Sequence, residues 1–318
     1  MAAEGLASRP LGSAGMDVSV MSLGSWRTFE RLPADTRVAI MRAARDEGIT
    51  FFDDARYNDE TGTAPIPTGY SEVVFGELFC GAGVPRDQVV VANKLWWEFW
   101  PEQSAAGELD ASLQRMGFDY IDVIYANPPP AGLPVAELVA ATVGLVGSGK
   151  ARAWGLVNWP AQEAGQAVRA AADLGVAQPC AIQLPYSLVR RDWVEDPAMT
   201  RVLDASGAGL IASFSLAGGV LSGKYLAGPG AGRAAGTLDD PRVAPAAAAA
   251  GELASLAARL GTTAAALALA FPFTHPALAS VLFGATSPEQ LRANCAAASL
   301  LGRLAPADVA ELRRIGTR

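Results

Sequence analysis

Short runs of β-branched and apolar residues recur along the chain, separated by longer segments in which apolar positions return every third or fourth residue. The runs VSVMSL, TFF, VVVA, IDVIY, ARAWGL, CAIQL, LIASF and SVLF predict strands at 18–23, 50–52, 89–92, 121–125, 151–156, 180–184, 210–214 and 280–283. Helical patterns lie between most of them, for example PADTRVAIMRAARDEG, GELDASLQRMG, LPVAELVAATVGLVGSG and AQEAGQAVRAAADLG. Several end in glycine, the residue that closes a helix in the left-handed conformation. Strand and helix in alternation predict a parallel sheet covered by helices. About eight such units, in a chain somewhat longer than the roughly 250 residues usual for that architecture, predict a closed (β/α)8 TIM barrel, one domain over residues 1–318.

The competing architecture is a doubly wound open sheet. That fold announces a dinucleotide site by GxGxxG after its first strand, with an acidic residue about 20 positions on. Here the first strand runs into LGSWRTF, which carries no such fingerprint. Two biased segments interrupt the rhythm. LAGPGAGRAAG, 226–236, reads as a mobile surface loop, and the alanine-rich stretch after it, with Leu253, Leu256 and Leu260, reads as a helix.

Composition narrows the function classes. With 51% hydrophobic residues the chain can bury a sizeable core, and a net charge of −7 argues against a nucleic-acid groove or an anionic membrane surface. The N-terminus lacks a basic start followed by an apolar core, and the longest apolar stretch, TAAALALAFPF, is too short to span a bilayer, so a soluble, cytoplasmic protein is expected. Cys80, Cys180 and Cys295 are odd in number and far apart, excluding a disulfide framework or a CxxC metal site. The single histidine, His275, has no partner cluster and reads as a loop residue.

If the barrel is right, chemistry sits where strands end. Those ends carry Asp53, Asp54, Arg56 and Tyr57; Asn93 and Lys94; Asn127; Asn158 and Trp159; Gln183 and Tyr186; Ser215; and Gly284, Thr286 and Ser287. A lysine beside a tyrosine, with a carboxylate holding the lysine, is expected to lower the tyrosine pKa and place a proton donor in a positive field, as reduction of a carbonyl requires. Three tryptophans and a phenylalanine in LWWEFW, beyond Lys94, add an apolar wall at the same face.

At these residues the chain resembles the aldo-keto reductase superfamily. The similarity is carried by RPLGSAGMDVSVMSLGSW, GITFFDDA, VVVANK, GLVNW and VLFGATSPEQLRAN, and runs over nearly the whole chain. VIYANPPP, LSGKY and SVLFGATSPEQL look most like the branch that includes the voltage-gated potassium-channel β subunits. The resemblance implies a (β/α)8 barrel with an N-terminal β-hairpin, extended NADPH, and an Asp, Tyr, Lys and His tetrad. Asp53 and Lys94 match that tetrad, while Asn127 stands where most members have histidine. An amide can donate a hydrogen bond to a substrate oxygen but does not titrate near neutrality. In the family the tyrosine falls at the position of Asn58. Tyr57 is one residue short, and the segment before SEVVFG is about 8 residues longer than usual, a change loops tolerate. Tyr57 is read as the proton donor and Tyr70 as the second candidate.

The resemblance also implies the cofactor groove. Ser25 and Trp26 flank the nicotinamide end; Asn158 and Gln183 bond its carboxamide; Phe214 offers a stacking face. Ser215, Leu216, Gly218 and Lys224 clamp the pyrophosphate, and Arg233, Gly284, Thr286, Ser287, Gln290 and Asn294 hold the adenosine 2′-phosphate region. Val157 replaces a usual serine. Tyr70, Trp96, Trp97 and Trp159 are expected to wall the substrate pocket. Two functions follow: an NADPH-dependent reductase of an aldehyde, a ketone or an imine, or an NADPH-sensing regulatory subunit with little turnover. The expected partner is a small-molecule substrate, and a homo-oligomer is compatible with the chain.

Overall fold

A computed structural model describes residues 5–226, 228, 234, 236, 238, 240 and 243–317. Arg233 and most of the loop expected at 226–236 lie outside the described residues. A short antiparallel hairpin, β1 (Ser8–Pro10) and β2 (Asp17–Ser19), precedes eight parallel strands: β3 (Met21–Gly24), β4 (Phe51–Asp53), β5 (Val90–Leu95), β6 (Ile121–Ala126), β7 (Ala151–Val157), β8 (Ala181–Pro185), β9 (Gly209–Ser213) and β10 (Leu278–Phe283). They pair in chain order, and β10 closes on β3, so the sheet is a barrel. The strand expected over 18–23 is two strands, because the chain turns at Val20 from the hairpin into the barrel.

Strand period two sorts each side chain into the lumen or onto the helices. Phe51, Val90, Ala92, Val123, Tyr125, Ala153, Val157, Ala181 and Ile211 fill the lumen, with Leu11, Met16 and Val18 of the hairpin segment plugging its lower end. Phe52, Val91, Ile124, Leu156, Ile182 and Leu210 face outward into a second core under the helices. The tight lumen explains two glycines. A Cβ on Gly155 would lie 2.6 Å from the Ala181 oxygen and 2.8 Å from the Tyr125 ring, and one on Gly12 would lie 2.4 Å from the Cys180 oxygen.

The helices that support the upper face are α1 (Ala34–Asp46), α2 (Tyr70–Ala82), α3 (Ala105–Met116), α4 (Val135–Gly147) and α5 (Ala161–Asp173). α6 (Asp192–Glu195) and α7 (Pro197–Ser206) follow β8. After β9 come the alanine-rich α8 (Ala244–Arg259) and the buried α9 (Ala264–Ala270), then α10 (Pro288–Cys295) and α11 (Pro306–Arg314) after β10. His275 sits in the loop before β10, where Nδ1 accepts from the Ala277 amide at 3.2 Å. All three cysteines are free, and burial pushes the Cys180 and Cys295 thiols up to about 12.

Candidate active site

The alternation that packs the lumen also builds the site. Two residues above Phe51, Ala92, Tyr125 and Ala181 on their strands come Asp53, Lys94, Asn127 and Gln183, so four polar side chains face the lumen at its upper end. All are buried: Asp53 is 2% exposed and Lys94 5%. Lys94 Nζ pairs with Asp53 Oδ1 and donates to the Asp54 carbonyl and the Tyr57 hydroxyl, each at 3.2 Å. Gln183 Nε2 donates to Asp53 Oδ2 at 2.9 Å, so both carboxylate oxygens are occupied. Of the two tyrosines considered, Tyr57 reaches Lys94. Tyr70 opens α2 and packs against the outer core.

The Tyr57 phenol does not have the lowered pKa expected from the sequence. Burial pushes it well up, and the Asp53 carboxylate repels the phenolate further. The charge of Lys94 is already committed to Asp53, which is why it fails to reverse the trend. Asp54 lies outside the lumen. Burial, then the Glu72 carboxylate, raises its pKa well above the usual range. Its Oδ1 accepts from the Ser25 hydroxyl, so that hydroxyl is turned away from the groove expected for the cofactor. Glu72 accepts from Asn93 Nδ2 at 2.8 Å and from Arg115 Nε at 2.5 Å. This buried network is not legible in strand-end residues, since α2 and α3 supply Glu72 and Arg115.

The longer loop after Asp53 is a small hairpin. The Gly69 amide donates to the Tyr57 carbonyl at 2.8 Å, Asn58 bridges Thr68, and the Asp59 amide donates to the Pro67 carbonyl at 2.8 Å. Asp59 closes the tip by accepting from the Thr61 hydroxyl and amide, which lowers its pKa to about 2. Arg56 fixes the base, bonding Thr68 and Glu98 at 2.6 Å each, and Glu60 holds the tip against Arg27 at 2.5 Å and Arg31 at 3.2 Å. The hairpin therefore sets Tyr57 beside the loop carrying Trp26.

Aromatic rings wall the opening. The Trp26 ring lies 5.3 Å from Phe214 and 6.4 Å from Tyr57, and Tyr57 meets Trp96 edge-on at 6.0 Å. Trp97 and Trp159, expected in the pocket, are instead core residues. Trp97 is buried in the outer core, and the Trp159 indole donates to the Ala126 carbonyl at 2.7 Å. The turn after β5 alternates its tryptophans, with the buried Glu108 carboxylate fixing the amides of Trp96 and Trp97 at 2.8 and 3.2 Å.

Backbone strain marks the same face. Among the described residues, the non-glycine positions with left-handed backbone are Arg27, Trp97, Asn158, Phe214 and Ala217, all in loops that follow barrel strands. Each costs about 1–3 kcal/mol and persists only where surrounding structure imposes it. Asn158 is exposed, with its amide held by the Gln183 carbonyl at 3.0 Å, and Phe214 is 44% exposed. After Ser215, whose hydroxyl bonds the Tyr186 carbonyl at 3.1 Å, and Leu216, the run Ala217, Gly218 and Gly219 is left-handed throughout. The Lys224 ammonium lies over it, 3.1 Å from where a Gly219 Cβ would be. A concave backbone roofed by a cation suits phosphate oxygens. Gly284 directly follows β10. Ser287 caps α10 by accepting from the Gln290 amide at 3.2 Å, Thr286 bonds Gln290 Oε1, and Asn294 Nδ2 is buried with no partner among the described residues. These features fit a dinucleotide laid across the β9 and β10 loops.

An eight-stranded barrel with Asp, Lys and Tyr converging at its upper face defines a class of oxidoreductase. The sequence profile of the aldo/keto reductase family matches residues 20–317, and the chain belongs to that family, which uses NAD(P)H. Among its relatives are two described as a "probable voltage-gated potassium channel subunit beta". The one from Oryza sativa subsp. japonica is 31% identical over 96% of this chain and 95% of its own length. The one from Arabidopsis thaliana is 30% identical over 93% and 92%.

Proposed function

We propose that the protein is an NADPH-dependent reductase of a small-molecule C=O or C=N group, with Tyr57 as proton donor and Asn127 in the place of a catalytic histidine. The observation that carries this reading is the continuous line Gln183, Asp53, Lys94, Tyr57. An ammonium has only donors, so Lys94 bonds a lone pair of the Tyr57 oxygen and leaves the phenolic hydrogen free to face the opening. The raised pKa keeps that hydrogen in place at neutral pH. Once Tyr57 has given its proton to a developing alkoxide, Lys94 stabilises the phenolate and Asp53 holds Lys94.

The dinucleotide supplies a hydride when bound. Trp26 and Phe214 would flank its nicotinamide, Asn158 and Gln183 would bond its carboxamide, the 215–219 loop with Lys224 would hold its phosphates, and Thr286, Ser287, Gln290 and Asn294 would take its adenosine end. Preference for NADPH rests on Lys224 and Arg233, because a 2′-phosphate calls for a cation and a ribose diol does not. The three free cysteines support a reducing, cytoplasmic setting.

The test is reduced-nicotinamide consumption by wild type, Tyr57→Phe and Tyr70→Phe against aldehydes, ketones and cyclic imines. Loss of aldehyde and ketone turnover confined to Tyr57→Phe supports the assignment; such loss confined to Tyr70→Phe overturns it. The names of the two relatives favour a second reading, a nucleotide-sensing subunit of a larger assembly. Tight NADPH binding without turnover of any substrate would select it.

A further inference from the structure

We propose that the group reduced at this face is an iminium ion, its N–H⁺ held by Asn127 Oδ1, in preference to a neutral carbonyl; the inference rests on the reductase reading above. It starts from the orientation of two amides. Asn127 Nδ2 lies 3.0 Å from the Leu95 carbonyl, and Gln183 Nε2 lies 2.9 Å from the Asp53 carboxylate. Both partners only accept, so the nitrogens must face them, and the amide oxygens are left over. Among the described residues neither oxygen accepts a hydrogen bond. Asn127 therefore offers substrate an acceptor, with one of its two N–H groups already spent. A ketone oxygen, which turns negative during reduction, can draw on no more than the one remaining N–H and is repelled by the oxygen beside it. An iminium N–H⁺ finds a partner in it.

The surrounding charges agree. Lys94 is paired with Asp53, Arg115 with Glu72, Arg56 with Glu98, Arg27 with Glu60, and Arg31 with Glu30 and Glu60, so these neighbouring cations are compensated and leave little to repel a cation. Position 127 carries no titratable group. The rings of Trp26 and Trp96 border Tyr57, with centroids 6.4 and 6.0 Å from its ring; the Arg27 guanidinium lies over Trp26 at 5.3 Å, so Trp96 is the indole available to attract a cationic substrate.

The chemistry balances without the chain. The iminium carbon accepts a hydride from a reduced nicotinamide, the C=N π electrons pass to nitrogen, and a neutral amine results while the dinucleotide is oxidised. No proton is taken up, so Tyr57 is needed far less than for a carbonyl. A phenol held protonated by burial is compatible with that division of labour.

The experiment compares 2-methyl-1-pyrroline with cyclopentanone as substrates, and pyrrolidinium with cyclopentanol as ligands in calorimetry. The expected result is kcat/KM at least about tenfold higher for the imine. Tyr57→Phe should lower ketone turnover by about 10²–10⁴-fold, the usual share of a general acid, and imine turnover by under about tenfold. Pyrrolidinium should bind and cyclopentanol should not, with Asn127→Leu losing the pyrrolidinium affinity. A higher kcat/KM for the ketone, equal losses in Tyr57→Phe, or unchanged pyrrolidinium binding in Asn127→Leu would overturn the inference while leaving hydride transfer intact. Turnover of neither substrate, with NADPH tightly bound, would overturn the reductase reading as well.

Discussion

Replacing Lys94 by Met probes the ion pair on which the site rests. The two side chains are 6% and 3% exposed, and the substitution leaves the Asp53 carboxylate with Gln183 as its remaining partner. Removing one member of a buried pair costs about 3–5 kcal/mol, because the survivor stays desolvated without compensation. The entropy of unfolding is about 2.1 cal/mol/K per residue, so for 318 residues this corresponds to a Tm lower by roughly 4–8 °C. Adding Asp53→Asn should recover most of the loss, since an amide beside Met asks for no counter-charge. The assay is thermal and urea denaturation of wild type, both single variants and the double variant at pH 7. A Lys94→Met loss under about 1 kcal/mol, or single losses that simply add in the double variant, would refute the claim that the pair is dry and coupled.

Further expectations concern elements around the pair. Asp54 has a raised pKa in the folded state, so the native form holds a proton that the unfolded chain releases above about pH 4. Its contribution to stability therefore falls as pH rises, and Asp54→Asn should be more stable than wild type at pH 8 with the gap closing toward pH 4 in urea titrations. A gap that widens on acidification contradicts this. Glu60→Gln removes exposed ion pairs, so stability should change by less than about 1 kcal/mol, yet limited proteolysis within 57–69 should accelerate because the hairpin tip loses its tether. Gly155→Ala drives a methyl into the Ala181 carbonyl and the Tyr125 ring and should cost about 1–3 kcal/mol by denaturation. Lys224→Ala should weaken both NADPH and NADH through the shared pyrophosphate, and NADPH further through its 2′-phosphate, in fluorescence titrations; equal losses would confine Lys224 to the pyrophosphate.

Much of this architecture is local and therefore legible in sequence. Period-two alternation along VVVANK and IDVIYAN puts Lys94 and Asn127 on the same face of their strands as the lumen residues Ala92 and Tyr125. Asp53 follows from the same parity in TFFD. What the sequence hides is non-local. Whether Tyr57 or Tyr70 meets Lys94 depends on a hairpin fixed by Arg56, Glu98, Glu60 and Arg27, which no periodicity connects. The tryptophans after β5 look alike on paper, and one buried carboxylate from α3 fixes the turn in which Trp97 points into the core. The Tyr57 pKa departs from the sequence expectation for a related reason: the sequence shows a lysine, while the structure shows that its charge is already taken by Asp53.

The most direct test of the account is isotope transfer. Wild type and Tyr57→Phe would be incubated with NADPH carrying deuterium at the transferable C4 position and a ketone or cyclic imine, and the product analysed by mass spectrometry. The account predicts one deuterium on the reduced carbon of the product from wild type, with the ketone product falling away in Tyr57→Phe. Product without deuterium, or no product while NADPH remains bound, would contradict it.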